Sequence, residues 1–338
     1  MKDIEKHVEY IKNTLKSRDI LYYLTEQDRL ATIYWALNSL RILNDPYFDE
    51  LKNSILDYVI SCLKEDGGFG PNPSYSSSIL STFNALQIFF ILGIPYFDQK
   101  TVDYILKLQN VGGSFSFDKY GDIDTRLDCC AILSLKLLSI MKNHPNPNLK
   151  STEINSEKLF KNYQVKFDRE QLDLPIENDF LEKIGFNLGI TITHLLSCNN
   201  SDGGFGQIKG SESHGAQVFC VVACLRTLGF LDSIDKEQTI GFLVNRQVNN
   251  GGLSGRTNKK EDVCYSFWVF SALLMLEPTQ LIDNQQLSKF IFSCEGENGG
   301  FSDRPGNEVD LYHLMYSLAS LSLLGEEGLD KVNPCFCL

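Results

Sequence analysis

The chain has 338 residues, 43% of them apolar, and a formal net charge of −12, so it is long enough to bury one large core and carries no bias that demands disorder. A surface this acidic excludes general nucleic-acid binding, which needs a net basic face, and any anionic ligand must be held by a local cluster of cations. The charged start Met1-Lys2-Asp3-Ile4-Glu5-Lys6 is not a secretory signal, and the most apolar run, Ile88 to Phe97, is broken by Gly93 and Pro95 and is too short to span a bilayer.

In chain order, the first strongly apolar element is a helix around Leu30 to Leu43. Ile55, Val59 and Cys62 then stand three and four residues apart, which marks a half-exposed amphipathic helix, and this helix leads into Gly67-Gly68-Phe69. The same order recurs. Val102, Ile105 and Leu106 precede Gly112-Gly113-Ser114-Phe115; Ile240, Leu243 and Val244 precede Gly251-Gly252-Leu253; Leu287, Phe290, Ile291 and Cys294 precede Gly299-Gly300-Phe301. A further pair, Gly203-Gly204-Phe205, lies 48 residues before Gly251, which in turn lies 48 before Gly299. Periods of this size signal stacked supersecondary units.

About ten residues after each glycine pair comes a helix that is apolar or small almost all round, such as Val218 to Leu225, Cys264 to Leu276 and Leu314 to Leu324. Such helices are buried on both sides. Six inner helices alternating with about as many outer ones predict an all-α fold, an α/α toroid or α6/α6 barrel, as a single domain over 1–338. Between Gly113 and Gly203 the polar stretch 142–179, rich in Asn, Lys, Glu and Pro, reads as a surface insertion. A sixth repeat hidden there is the alternative, although no glycine pair marks it. The ten cysteines are scattered singly or on helical patterns rather than in a compact framework, which fits a reducing, cytoplasmic setting.

The unusual polar residues occupy matching places in the repeat. Asp262 and His214 each stand ten residues after the second glycine of their pair, and His313 and Arg126 each stand thirteen after theirs. All four therefore belong near the N-terminal ends of inner helices, at one mouth of the toroid, where converging helix dipoles attract an anion. Asp262, Cys264 and His313 supply a carboxylate, a thiolate and an imidazole, and three protein ligands leave a fourth position open, the pattern of a catalytic zinc site. The spacing alone would equally suit a surface acid, a buried thiol and a core histidine; equivalence within the repeat favours ligands. Close by, His214, Arg256, Lys259 and Tyr265 suit the charge of a departing diphosphate, whereas Arg256 and Lys259 taken singly would be solvated loop charges. Tyr34, Trp35, Trp268 and Tyr312 lie on or beside inner helices, where they either line an apolar funnel or pack the core.

At these residues the chain resembles the β subunits of protein prenyltransferases. The resemblance covers nearly everything except the insertion and rests on Gly121-Asp122-Ile123-Asp124-Thr125-Arg126, on Gly210-Ser211-Glu212-Ser213-His214-Gly215, on the run from Gly255 through Cys264-Tyr265-Ser266-Phe267-Trp268, and on Gly299-Gly300-Phe301 through Asp303-Arg304-Pro305-Gly306. It implies that Asp262, Cys264 and His313 bind Zn2+, with Tyr265 beside them at the reacting centre. It also implies that His214, Arg256, Lys259 and Tyr265 hold the isoprenoid diphosphate, with Arg126 at the same mouth. Cys129 joins Ala31, Tyr34, Trp35, Leu80, Trp268 and Tyr312 in the isoprenoid pocket, and Asp303 would help place Mg2+, unless it is simply an exposed turn acid.

Among family members, Ala31 and Leu80 match positions where farnesyltransferase carries bulky aromatics, which implies a deeper pocket suited to geranylgeranyl diphosphate. The Asp303-Arg304-Pro305-Gly306 run and the ending Pro334-Cys335-Phe336-Cys337 are most similar to the Rab enzyme. That enzyme works as a heterodimer with a helical-repeat α subunit and receives a Rab-type small GTPase on an escort protein. The alternatives within the family are farnesyltransferase and type I geranylgeranyltransferase β subunits acting on C-a-a-X proteins. Outside it stand a terpene-cyclase-like toroid, whose acid motif Asp122-Ile123-Asp124-Thr125 only approaches, and a non-catalytic scaffold. Cys335-Phe336-Cys337-Leu338 also reads formally as a prenylation box.

Overall fold

The computed structural model describes residues 3–149, 155–277 and 281–338. Its helices in chain order are α1 (Ile4–Lys16), α2 (Ile20–Leu24), α3 (Arg29–Ile42), α4 (Tyr47–Ser61), α5 (Ile79–Leu92), α6 (Gln99–Lys107), α7 (Thr125–Met141), α8 (Ser156–Tyr163), α9 (Asn178–Ile184), α10 (Leu188–Ser197), α11 (Gly215–Leu228), α12 (Lys236–Val244), α13 (Cys264–Met275), α14 (Asn284–Ser293) and α15 (Leu311–Leu323). One small hairpin, β1 (Phe301–Ser302) with β2 (Val309–Asp310), interrupts the helical pattern. The fold is the α/α toroid that the repeat predicts.

Helices α3, α5, α7, α11, α13 and α15 pack side by side in that order, and α15 returns to α3, so six inner helices close a ring. Their composition explains their place: every residue from Gln217 to Leu225 in α11 is buried, which only a helix covered on both sides allows. The outer helices bury a single stripe instead, such as Leu287, Phe290 and Ile291 of α14. Stops and starts are local. Ser78 caps α5 by accepting from Ser81 N, and Gly93 and Gly229 end α5 and α11 in the left-handed conformation.

The glycine pairs make the turns between outer and inner helices. Gly251 has φ +88°, and a Cβ on it would lie 2.4 Å from the carbonyl oxygen of Gln286, in the first turn of the next outer helix. At Gly299, φ +87°, the obstructing atom is the carbonyl oxygen of Lys6, at 2.3 Å. Helix α1 therefore stands to the last repeat as α14 stands to the one before. It is the sixth outer helix, supplied by the start of the chain, and the seam is fastened by Tyr10 Oη donating to the Val309 carbonyl at 3.0 Å.

His7 sits in this seam, fully buried, with its ring stacked on Phe301 at 5.2 Å and Nδ1 accepting from Gly300 N at 3.1 Å. Its Nε2 lies 3.3 Å from Glu295 Oε1, outside hydrogen-bonding geometry. Burial pushes its pKa down to about 4. The unfolded chain takes up this proton at an ordinary histidine pKa of about 6.5, so the native state loses stability as pH falls from there towards 4. His7→Gln keeps an acceptor for Gly300 N without the titration. The drop in Tm between pH 7.5 and pH 5 should therefore be smaller in the variant than in the wild type, measured by thermal melts.

The segment 142–179 leaves the ring but does more than cover its surface. Among its described residues no inner helix occurs, yet Leu159, Phe167, Leu172 and Ile176 are buried, and Phe167 stacks on Phe90 at 4.6 Å. Val165 N donates to the Gly93 carbonyl and Ile176 N to the Thr227 carbonyl, each at 2.8 Å. Both acceptors lie at the C-terminal ends of inner helices, so the segment lies across that end of the ring. The chain's last described residues enter the same end. Asn38 Nδ2 donates to the Cys337 carbonyl at 2.7 Å, and Gln87 Nε2 to the Phe336 carbonyl at 3.2 Å. Asp173 in the insertion holds both Asn333 and Arg226 at 2.9 Å. The toroid is thus closed at one end and open at the other.

Candidate active site

The open end gathers the helix starts. Arg126 is the second residue of α7, His214 the N-cap of α11, Cys264 the first residue of α13 and His313 the third of α15. Caps hold these ends in place: Asp124 accepts from Arg126 N, His214 Nδ1 from Ala216 N at 3.1 Å, and Asp310 from His313 N at 2.8 Å. Partly unsatisfied N–H groups and aligned dipoles at these helix starts favour an anion beside them.

Asp262, Cys264 and His313 come together here, with one ligand atom of each lying within 4.8 Å of the others. His313 Nε2 is 3.5 Å from Asp262 Oδ1, and that same oxygen accepts from Cys264 N at 2.9 Å. On its far side His313 Nδ1 meets Asp310 Oδ2 at 2.6 Å, which aims Nε2 at the trio in the way metal-ligating histidines are oriented. The electrostatics ask for a cation. Burial and the neighbouring Asp262 carboxylate push the Cys264 thiol well above its ordinary pKa. Burial works against charge on His313 too, but the bonds to Asp262 and Asp310 outweigh it and raise that group to about 9, so that a proton stands between the carboxylates. One carboxylate, one sulfur and one oriented imidazole with space between them are a donor set that fits zinc. Asp310→Asn should weaken zinc binding by about 10- to 100-fold, because Asp310 accepts with both oxygens, from His313 N and from its Nδ1, and asparagine keeps only one acceptor and no charge; chelator competition measures this directly.

The cations face the trio across the mouth. Arg256 pairs with Glu212 at 2.9 Å, and Arg126 bonds to both oxygens of Asp124, which also accepts from Gln207 at 2.8 Å. His214 and Tyr265 are joined, Nε2 to Oη, at 3.1 Å. Because His214 Nδ1 accepts from a backbone N–H, the neutral ring carries its proton on Nε2 and donates it to Tyr265, leaving the phenol hydrogen free for another acceptor. Burial, with Arg256 and Arg126 nearby, lowers the His214 pKa and keeps that neutral form. Burial first, then Cys264 and Asp262, raise the Tyr265 phenol to about 12, so it remains a donor.

Two further expected members, Lys259 and Asp303, are placed differently from each other. Lys259 does not line the central cavity; it is exposed in a neighbouring depression with Asn258 and Glu261. The reason is a tight turn in which Lys259 N approaches the Arg256 carbonyl and Asn258 adopts φ 60°, which throws the lysine outward. Asp303 lies beside the trio, donating nothing but accepting twice: its Oδ2 pairs with Arg304 at 2.7 Å and its Oδ1 accepts from Asn307 at 2.7 Å. Both oxygens are engaged within the turn, as in an exposed turn acid.

From the mouth a cavity of about 790 Å³ runs inward, within the usual range for small-molecule sites. Ala31, Tyr34, Trp35, Leu80, Cys129, Trp268 and Tyr312 all line it, as do Arg126, His214, Arg256, Cys264 and Tyr265. Its aromatic wall is continuous: Trp35 meets Tyr312 at 5.3 Å, Tyr312 meets Tyr316 at 4.8 Å, and Trp268 meets Tyr316 and Phe219 at 4.5 and 4.8 Å. Tyr316, Cys130, Gln217, Gln87 and Cys335–Cys337 also line it, beyond the residues expected there. Helical geometry could have added three of them, since Cys130 and Tyr316 lie four residues after Arg126 and Tyr312, and Gln217 three after His214. Asp310, three residues before His313, was legible as a helix-capping acid.

The described helices include none long and apolar enough to cross a membrane. Comparison with known proteins agrees with the geometry. The family model for the prenyltransferase alpha-alpha toroid domain matches residues 3–338. The chain is 33% identical over 345 residues to the geranylgeranyl transferase type-2 subunit beta of Saccharomyces cerevisiae, covering 99% of this chain and 93% of that one. It is also 33% identical over 299 residues to the protein of the same name from Candida albicans, covering 81% and 74% respectively. In three dimensions it resembles Candida albicans protein geranylgeranyltransferase-I complexed with GGPP, with a TM-score of 0.78 at 22% identity over 99% of this chain and 95% of that one. A match of this extent, on a toroid with its polar residues gathered at one mouth, places the chain in the family of protein prenyltransferase β subunits.

Proposed function

We propose that the chain is the catalytic subunit of a geranylgeranyltransferase that moves the geranylgeranyl group of geranylgeranyl diphosphate onto C-terminal cysteines of Rab-type small GTPases. The observation that carries this is the juxtaposition, at one mouth, of a zinc-type donor trio, a cationic cradle and the entrance to an apolar cavity. The type-2 names of two relatives that match most of the chain support the Rab reading. It would act in the cytoplasm with an α subunit, the GTPase being presented by an escort protein.

Asp262, Cys264 and His313 would hold a zinc ion, which when bound would lower the pKa of an incoming cysteine thiol so that it reacts as thiolate at neutral pH. The aromatic wall orients the isoprenoid so that its first carbon faces this sulfur. One C–S bond forms as one C–O bond breaks, and negative charge grows on the leaving diphosphate. Arg256, Arg126 and the free Tyr265 hydroxyl, set in place by His214, meet that charge where it develops, while Lys259 adds charge on the outer rim. A protonating cyclase is disfavoured because Asp124, the acid it would require, is held by Arg126 and Gln207.

The test is to co-express the chain with an α subunit and compare farnesyl and geranylgeranyl donors on substrates ending in Cys-Cys, Cys-x-Cys or a C-a-a-X box, with escort protein supplied. Geranylgeranyl transfer to Rab-type ends is expected. Exclusive farnesyl transfer would overturn the inference from Ala31 and Leu80, and transfer to C-a-a-X ends alone would favour a type I enzyme.

A further inference from the structure

Ala31 and Leu80, where the family resemblance locates donor-length control, lie in the first turns of α3 and α5, near the mouth, and Leu80 is 42% exposed. Non-aromatic residues there admit a chain but do not say where it must stop. The cavity continues past them to Cys335, Phe336 and Cys337. Resting on the reading of an isoprenoid donor, we infer that this C-terminal segment is the floor of the isoprenoid channel and sets the longest donor the protein accepts.

The segment is built as a stop. Asn333 Oδ1 accepts from Cys335 N at 2.9 Å and Phe336 N at 3.2 Å, and Cys337 N returns to the Asn333 carbonyl at 2.8 Å. These bonds wind it into a tight knot at whose end Cys337 adopts φ 57°. The carbonyls of Phe336 and Cys337 are tied to Gln87 on α5 and Asn38 on α3, and Cys335 Sγ lies 3.6 Å from Thr227 Oγ1 on α11. The segment is thus anchored to three inner helices and backed by Asp173 of the insertion through Asn333. With its polar groups paired, it offers the cavity an apolar end, suited to terminal methyl groups of a hydrocarbon. The Cys335-Phe336-Cys337-Leu338 sequence, formally a prenylation box, has all four residues buried; its cysteines face the interior rather than an attacking enzyme.

The experiment uses the complex with its α subunit and diphosphate donors of three, four and five isoprene units. Phe336→Ala should raise use of the five-unit donor relative to the four-unit donor by about tenfold or more, since lengthening a hydrophobic pocket shifts discrimination by that order. Phe336→Leu, a milder change that guards against loss of fold, should shift the same ratio less. Zinc content and circular dichroism are matched to the wild type. An unchanged five-to-four ratio in both variants, with four-unit transfer retained, overturns the inference. If the wild-type complex transfers none of the donors, it is the proposed function that fails. Direct donor binding, read by fluorescence of Trp35 and Trp268 in the cavity wall, then still ranks the three lengths in wild type and variant. The same shift towards longer chains supports the floor, and an unaltered ranking overturns it.

Discussion

Replacing Cys264 with alanine is expected to abolish stoichiometric zinc and to lower prenyl transfer by about three orders of magnitude, because metal stabilisation of the reacting sulfur is worth several kcal/mol. The loss should be chemical rather than structural. Cys264 stands at the first position of α13 on the cavity wall, a one-atom truncation there leaves the rest of the helix packing in place, and alanine favours the helix. Asp262 and His313 would remain 3.5 Å apart, but two ligands do not make a structural equivalent of three. Metal analysis of the purified complex and single-turnover transfer measure the two effects separately. Wild-type zinc content together with a wild-type rate would end the ligand assignment.

Arg256→Ala is expected to lower turnover by about 10²- to 10³-fold, the usual consequence of removing one preorganised group from a site of developing charge. Zinc content should be unaffected, since Arg256 is not among the donor trio. Its partner Glu212 holds the guanidinium at 2.9 Å in the free protein, so part of its charge is occupied until diphosphate competes for it. The loss should accordingly fall more on kcat than on donor affinity, and Arg256→Lys should recover part of it. A variant with a raised KM and unaltered kcat would instead assign Arg256 to uniform binding of the donor.

Much of this was legible in the amino-acid order because the repeat converts linear position into place. Ten or thirteen residues beyond a glycine pair means the start of an inner helix, which is why Asp262, His214, His313 and Arg126 could be brought to one mouth before any coordinates. The repeat is silent where the chain departs from it. No glycine pair follows α1, so its role as the sixth outer helix depends on a contact between Lys6 and Gly299 that no local pattern announces. Cys335–Cys337 follows no helical period and looks like a tail, although pairing with Asn38 and Gln87 makes it interior. Lys259 is a local case: the left-handed backbone at Asn258 turns it away from Arg256, which no spacing in the sequence announces.

The seam between α1 and the last repeat also constrains how the molecule is made. The helix pairs can assemble as they leave the ribosome, each on its predecessor, and α1 can already meet α3, but the other flank of α1 must wait for its partners in the last repeat, almost three hundred positions downstream. Until then the nascent arc has two unsealed flanks, one offering His7, Val8 and Ile11 and the other the Phe301 turn. Closure is therefore a late event with a large loop penalty. A circular permutant that joins the natural ends and opens the ring between two other repeats would make that docking local and move the wait elsewhere.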